Sequence, residues 1–411
     1  MLLRARIVVP ISQPPIADGF VRVEGNRITA VGKWVDAENK SEAEDLGEVI
    51  LLPGLVNAHC HLDYTDFVGA IPAPRSFTDW INDIVDLKAD VDDAAHRESW
   101  LHGAAQSLRH GTTTLGNIET RPDLLPELWA ATPLRMGSFL ELIVIRANSD
   151  AVQAVADLAD WIANHKPPRG HAGLSPHAPY TTKPDLLKAC AATGLPLAMH
   201  LAESVEEDEM FRQGAGALYE RLAAAGREMA DCGSGSPIEH AKRHGVLREG
   251  TLAIHGNYLD DDDIRLLAEN QVSLVHCPRS HAYFGHAPFR AEALRAAGVN
   301  LCLGTDSLAT MRDGDAKLSL FDELRAHREA FPDLELETLL QCVTINPARA
   351  LGMAGQTGEL TAAAFADLIT LPFSGPVGNA IEGIINHNGP AQAVMLDGQW
   401  EVPSASSAAH A

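Results

Sequence analysis

The chain has 411 residues, an apolar fraction of 46% and a net charge of −23. A surface this acidic repels nucleic acid and anionic lipid, so neither is an expected partner, while the apolar fraction is enough for a large core. No stretch is long and apolar enough to span a bilayer, and the six cysteines form no C-x-x-C pair, as in a reduced compartment.

Residues 1–53 read as β structure. Val21 and Val23 alternate with Arg22 and Glu24, and Gly25-Asn26 offers a turn before Ile28 and Val31. The charges in Met-Leu-Leu-Arg-Ala-Arg break the apolar core that a signal peptide needs, so a cytoplasmic protein is expected. Pro53-Gly54 then turns the chain into Leu-Val-Asn-Ala-His-Cys-His, which ends in His59 and His61. Residues i and i+2 of a strand project to one face, so these imidazoles can share one metal ion while Cys60 points away. Two surface histidines are the plainer alternative for this stretch alone.

After a loop, Ser76 and Asp79 form a capping-box signal, which predicts a helix starting there. Trp80, Ile84 and Leu87 fall near one face of it, read here as facing the core. The chain then alternates apolar strands with helical stretches. Expected strands are 55–60, 112–118, 134–142, 171–177, 196–201, 251–256, 271–277 and 299–305, the count of a closed (β/α)₈ barrel. The acidic run Glu206–Glu209 reads as a solvated helix face, and the insertion 204–248 is a candidate lid. Residues 367–372 and the hairpin signal at Asp397-Gly398 are β again. The expected organisation is α/β: residues 1–53 and 357–403 build one small β-sandwich domain, 54–356 the TIM barrel, and 404–411 a disordered tail.

Chemistry-bearing residues recur where strands end. The fifth strand ends in His200, with Glu203 three residues on; the sixth ends in His255; the eighth leads into Asp306. A barrel places its active site at these ends. A lone histidine there is usually a packed core residue, but four histidines, an aspartate and a glutamate at four strand ends point to a shared metal site.

The set His59-x-His61, His200-x-x-Glu203, His255 and Asp306 resembles the amidohydrolase superfamily. It looks most like the deaminase branch, with S-adenosylhomocysteine/methylthioadenosine, aminodeoxyfutalosine, guanine and cytosine deaminases and the triazine chlorohydrolases. The resemblance implies His59, His61, His200 and Asp306 as ligands of one divalent ion, zinc or iron(II). Many relatives bridge two ions with a carboxylated lysine on the fourth strand; here that strand reads Gly173-Leu174-Ser175-Pro176-His177, so a single ion is expected. By the same resemblance Glu203 is the base and then the acid, and His255 and Asp306 orient the attacking water.

Substrate contacts implied this way are His177 at the fourth strand's end and Glu141 on the third. Arg279 and His281, in His276-Cys277-Pro278-Arg279-Ser280-His281, depart from the Asn-Pro-x-Ser-Asn of many relatives. Pro278 argues against an immediate helix, which would put Arg279 in an irregular loop at the pocket mouth. There its guanidinium would receive a substrate carboxylate or, alternatively, pair with an acidic neighbour. Where adenosylhomocysteine deaminases hold ribose with a glutamate, this chain has Asp86, Lys88 and Ala89.

The expected activity is deamination of an aminated heterocycle, with an adenine-type nucleoside derivative as the leading candidate, by a homodimer with a small-molecule substrate. Displacement of chloride, opening of another C–N bond, and a catalytically silent scaffold are the alternatives.

Overall fold

The computed structural model describes residues 1–72, 76–146 and 149–403. The expected tail, 404–411, lies outside the described residues.

Eight parallel strands form the central sheet in sequence order: Leu55–Cys60, Thr112–Glu119, Arg135–Leu142, Gly170–Pro176, Leu197–Leu201, Thr251–His255, Ser273–His276 and Asn300–Leu303. All eight lie where the apolar runs place them. A parallel sheet covered by helices buries both faces of each strand, so its strands are near-continuous apolar runs. Leu197–Leu201 and Thr251–His255 are buried at every position. The eighth strand returns to the first through a parallel bridge between Asp306 and Cys60 and a hydrogen bond from the Asp306 N–H to the His59 carbonyl, 3.1 Å.

The interior is filled by side chains such as Val56, Ile118, Phe139, Leu252, Ile254 and Val275. Ala348 and Leu351 join that cluster from the helix Ile345–Ala350 and the residue just after it, so this segment plugs the end opposite the site. The close approach depends on Gly116. A Cβ there would sit 2.4 Å from the Ala58 carbonyl and 3.2 Å from Leu351, so only glycine fits.

The two ends of the chain meet in a second, mixed sheet. Its strands run Gln399–Val402, Ala393–Leu396, Leu368–Pro372, Val49–Pro53, Leu2–Val8, Ile16–Glu24 and Arg27–Lys33, with Ala43–Asp45 beside Leu2–Val8. The sheet folds over its own core, which holds Leu3, Val21, Leu51, Leu368 and Met395 together. The turn Asp397-Gly398 thereby lies against the Gly25 carbonyl of the opposite hairpin. No described helix is long and apolar enough to cross a membrane.

Two local expectations are corrected. Pro278 opens a helix, Pro278–Phe284, instead of an irregular loop. Proline is well suited to the first helical position, where its missing N–H would have no partner and its φ is already helical. The acidic run lies in the helix Val205–Gln213, but Glu207 points inward and is completely buried.

Candidate active site

The strand ends bring His59, His61, His200, His255 and Asp306 to one spot. The His59 and His61 rings are 4.9 Å apart, His59 and His200 5.1 Å, and His200 and His255 5.5 Å. Asp306 Oδ1 lies 3.4 Å from His59 Nε2 and 3.8 Å from His61 Nε2. Donor atoms of His59, His200 and His255 fall within 4.8 Å of one another, as do those of His59, His61 and Asp306.

The backbone is bent to achieve this. Ala202, His255 and Asp306 all have left-handed φ, at 51°, 77° and 54°. Each such non-glycine residue costs on the order of 1–3 kcal/mol, a strain that persists where surrounding structure over-determines it. Asn57 supplies part of that support: its Nδ2 donates to Thr305 Oγ1 at 2.8 Å, and its Oδ1 accepts from the Thr305 N–H at 3.2 Å.

These side chains fit a divalent metal. Both ring nitrogens of His59 and Nδ1 of His61 are buried without a hydrogen-bond partner, a costly state unless they serve as ligands or support one. His200 Nδ1 lies 2.8 Å from the His177 carbonyl, which can only accept. The proton is therefore on Nδ1, and the Nε2 lone pair is left for the cluster. Burial, then His177 and His59, hold His200 well below the usual histidine range, so it is neutral and able to ligate. Asp306 is held well below the usual carboxylate range: burial opposes ionisation, but the imidazoles around it, His59 at 3.4 Å first and then His255 and His61, outweigh it.

Glu203 sits beside this cluster, with Oε1 3.4 Å from His255 Nε2. Burial first, then Asp306, Glu207 and Glu206, push its carboxyl well above the usual range. A carboxyl so raised can hold a proton and release it, as an acid–base group must. Its backbone is clamped: Glu207 Oε2 accepts from the Glu203 N–H at 2.8 Å, and Asn257 Nδ2 donates to the Glu203 carbonyl at 2.9 Å.

A cavity of about 320 Å³ opens above these groups, within the range of small-molecule sites, roughly 300–1,000 Å³. His177 and Glu141 line it, 3.8 Å apart. His177 is pushed down to about 3 by burial, then by Lys88 and His59, and so is neutral. Trp80 and Ile84, read from sequence as core-facing, pack with Leu87 in the cluster of Tyr64 and Ile71 and also line the cavity. The insertion contributes Leu218, Arg221 and Leu222 from its helix Ala217–Ala224.

Arg279 and His281 are not brought into this wall. Arg279 donates to Glu323 at 2.5 Å and to the Lys317 carbonyl at 2.8 Å, and pairs with Asp322 at 3.4 Å. His281 Nε2 lies 2.9 Å from the Ala287 carbonyl. Sequence reasoning passed over Tyr64, which stacks on His61 at 5.1 Å and 1° and accepts a hydrogen bond from Lys88 Nζ. Its signal is the spacing His61-x-x-Tyr64 just past the metal pair. Glu207 and Arg221 carried no local signal of their role.

Residues 50–400 match the profile described as "Amidohydrolase family". A 5-methylthioadenosine/S-adenosylhomocysteine deaminase of Syntrophobacter fumaroxidans is 30% identical over 380 residues, covering 87% of this chain and 81% of that protein. An aminodeoxyfutalosine deaminase of Deinococcus radiodurans is 29% identical over 354 residues, 81% of each chain. Among solved structures, a Helicobacter pylori aminofutalosine deaminase in complex with methylthio-coformycin superposes with a TM-score of 0.85 at 21% identity, over 97% of this chain and 99% of that one. A Xanthomonas campestris adenosine deaminase with bound zinc gives 0.82 at 24%, over 98% and 93%. At these identities the structural likeness speaks for the fold.

Proposed function

The chain belongs to the amidohydrolase family, and from that premise we propose that it is a metal-dependent hydrolase deaminating an adenine-type nucleoside derivative. Methylthioadenosine, S-adenosylhomocysteine and aminodeoxyfutalosine are the candidate substrates, on the strength of the relatives' names. The observation that carries the reading is Glu203 against His255, beside three further histidines and Asp306 on the floor of an apolar cavity.

His59, His61, His200 and Asp306 would hold one ion, and three imidazoles with a carboxylate suit zinc or iron(II). The ion supplies the acidity that makes a water nucleophilic near neutral pH. Glu203 accepts a proton from that water and delivers it to the ring nitrogen next to the amino-bearing carbon. As the C–O bond forms, the carbon becomes tetrahedral. Glu203 then passes the water's second proton to the amino group, the C–N bond breaks, and ammonia and the oxo-ring leave. His255, uncharged because of burial, fixes the water by hydrogen bonding without competing for its proton. His177 and Glu141, on the adjoining strand ends, orient the ring or sugar.

The test is ammonia release by metal-replete protein presented with methylthioadenosine, S-adenosylhomocysteine, aminodeoxyfutalosine, adenosine and guanine. Turnover confined to the adenine-bearing compounds is expected. No ammonia from any of them, in protein holding an ion, would sink the reading.

A further inference from the structure

Arg221 lies on the cavity face of the helix Ala217–Ala224, on the same stripe as Leu218 and Leu222. Its neighbours in the insertion are fully engaged: Arg212 pairs with Asp208, Asp260 and Asp263, and Arg227 with Asp231. Arg221 has no carboxylate within 4.0 Å among the described residues, although the chain carries 55 acidic residues against 32 basic ones. Its one hydrogen bond among the described residues is from Nε to Asn82 Oδ1, 2.6 Å, on the helix Phe77–Ala89 across the cavity mouth. That bond fixes the plane of the guanidinium and leaves the terminal nitrogens free to donate. The other cation of the wall, Lys88, is already held by the Tyr64 hydroxyl and lies near Glu141.

We propose that Arg221 is a specificity residue that receives a carboxylate at the end of an apolar arm of the substrate. The arm would run from the metal end along Trp80, Ile81, Leu218 and Leu222, all of which line the cavity. A guanidinium held in one plane presents two parallel donors, the match for a planar carboxylate. A lone cation at the mouth of a protein of net charge −23 also locally offsets the repulsion of an anionic substrate. The inference rests on the deaminase reading for the rest of the substrate, but not for the anion itself.

The experiment compares wild type, Arg221→Met and Arg221→Lys on aminodeoxyfutalosine, a carboxylate, and on its methyl ester. Wild type should favour the acid, and Arg221→Met should lower that preference by about 10–150-fold, the scale of one charge-assisted hydrogen bond. Arg221→Lys should keep part of it. An unchanged preference in Arg221→Met, or equal losses on both compounds, would overturn the proposal. A second arm needs no turnover: benzoate should raise the melting temperature of wild type more than benzamide does, and Arg221→Met should erase the difference. If wild type deaminates neither compound, the deaminase reading falls only if methylthioadenosine, S-adenosylhomocysteine and adenosine also release no ammonia, and the benzoate arm alone decides the anion site. Equal protection by benzoate and benzamide in wild type would overturn it.

Discussion

At the scale of single residues, the site separates into groups that would hold an ion and groups that would move a proton. Glu203 lies beside the cluster through His255 and is missing from both convergent donor sets. Glu203→Gln should therefore keep the metal and lose roughly 10²–10⁴-fold in turnover, the usual scale of general acid–base catalysis. His200→Ala should instead lower the metal content while the circular dichroism of the fold persists, because the cluster caps the barrel core and does not build it. Metal analysis beside steady-state kinetics distinguishes the two behaviours. Glu207 acts one step further back. It is buried, its Oε2 accepts from the Glu203 N–H, and Ala202 just before is in the left-handed region. Glu207→Ala should lower kcat with KM and metal content little changed, and Glu207→Gln, which keeps a carbonyl acceptor, should restore part of the loss. A rise in KM with unchanged kcat would assign Glu207 to binding instead.

At the scale of elements, the insertion 204–248 is fastened to the barrel by Arg227. Its guanidinium pairs with Asp231 at 2.8 Å and donates to the carbonyls of Tyr180 and Pro179 at 2.9 and 3.0 Å. Breaking one partner of a buried ion pair costs about 3–5 kcal/mol. Arg227→Met should loosen the insertion before it unfolds the barrel, seen as early proteolytic cutting within 204–248 and a raised KM. Cutting spread evenly over the chain would contradict this. The elements themselves were legible because most barrel strands are short, mainly apolar runs with a polar residue at or near the end, and a parallel sheet permits little else. The convergence of the donor side chains was legible for a related reason, since strand ends meet in a barrel whatever the helices do. The cavity wall was not. Whether Trp80 faces the core or the cavity depends on how its helix is rotated, which no local pattern records. Arg279 stayed open between a substrate carboxylate and an acidic neighbour because its partner Glu323, which decides for the second, lies 44 residues away in sequence. Glu207 sits in a run of acids whose exposed members hide the one that turns inward.

At the scale of the whole molecule, the terminal sheet is locked to the barrel by buried charge. Arg135, at the start of the third barrel strand, donates to Asp367 at 3.0 and 3.2 Å and to Asp397 at 2.9 Å, both in the terminal domain. Other buried carboxyls carry a pH signature. Burial pushes Glu119 and Glu323 up to about 7 and Glu207 up to about 8, against an ordinary 4.5. Each binds its proton more tightly folded than unfolded. As pH rises from about 4.5 the unfolded chain gives up these protons first, so stability falls through the window up to pH 7–8. Buried histidines act from the other side. Burial lowers His240 and His286 to about 3 and His327 to about 4, from 6.5. Their unfolded forms take up protons below pH 6.5, so stability is lost as pH falls toward 3 or 4. The metal-free protein should thus be most stable at mildly acidic pH. Glu119 isolates one contribution, because it accepts from Trp100 Nε1 and Ser138 Oγ, at 3.1 and 2.8 Å, and has no hydrogen bond or ion pair to the proposed ligands among the described residues. Glu119→Gln removes one titrating proton. Between pH 5 and 7 its loss of unfolding free energy, measured by denaturant titration in chelator, should be shallower than that of wild type by up to about 1.4 kcal/mol per pH unit. Parallel slopes for the two proteins would show that Glu119 does not retain its proton in the fold.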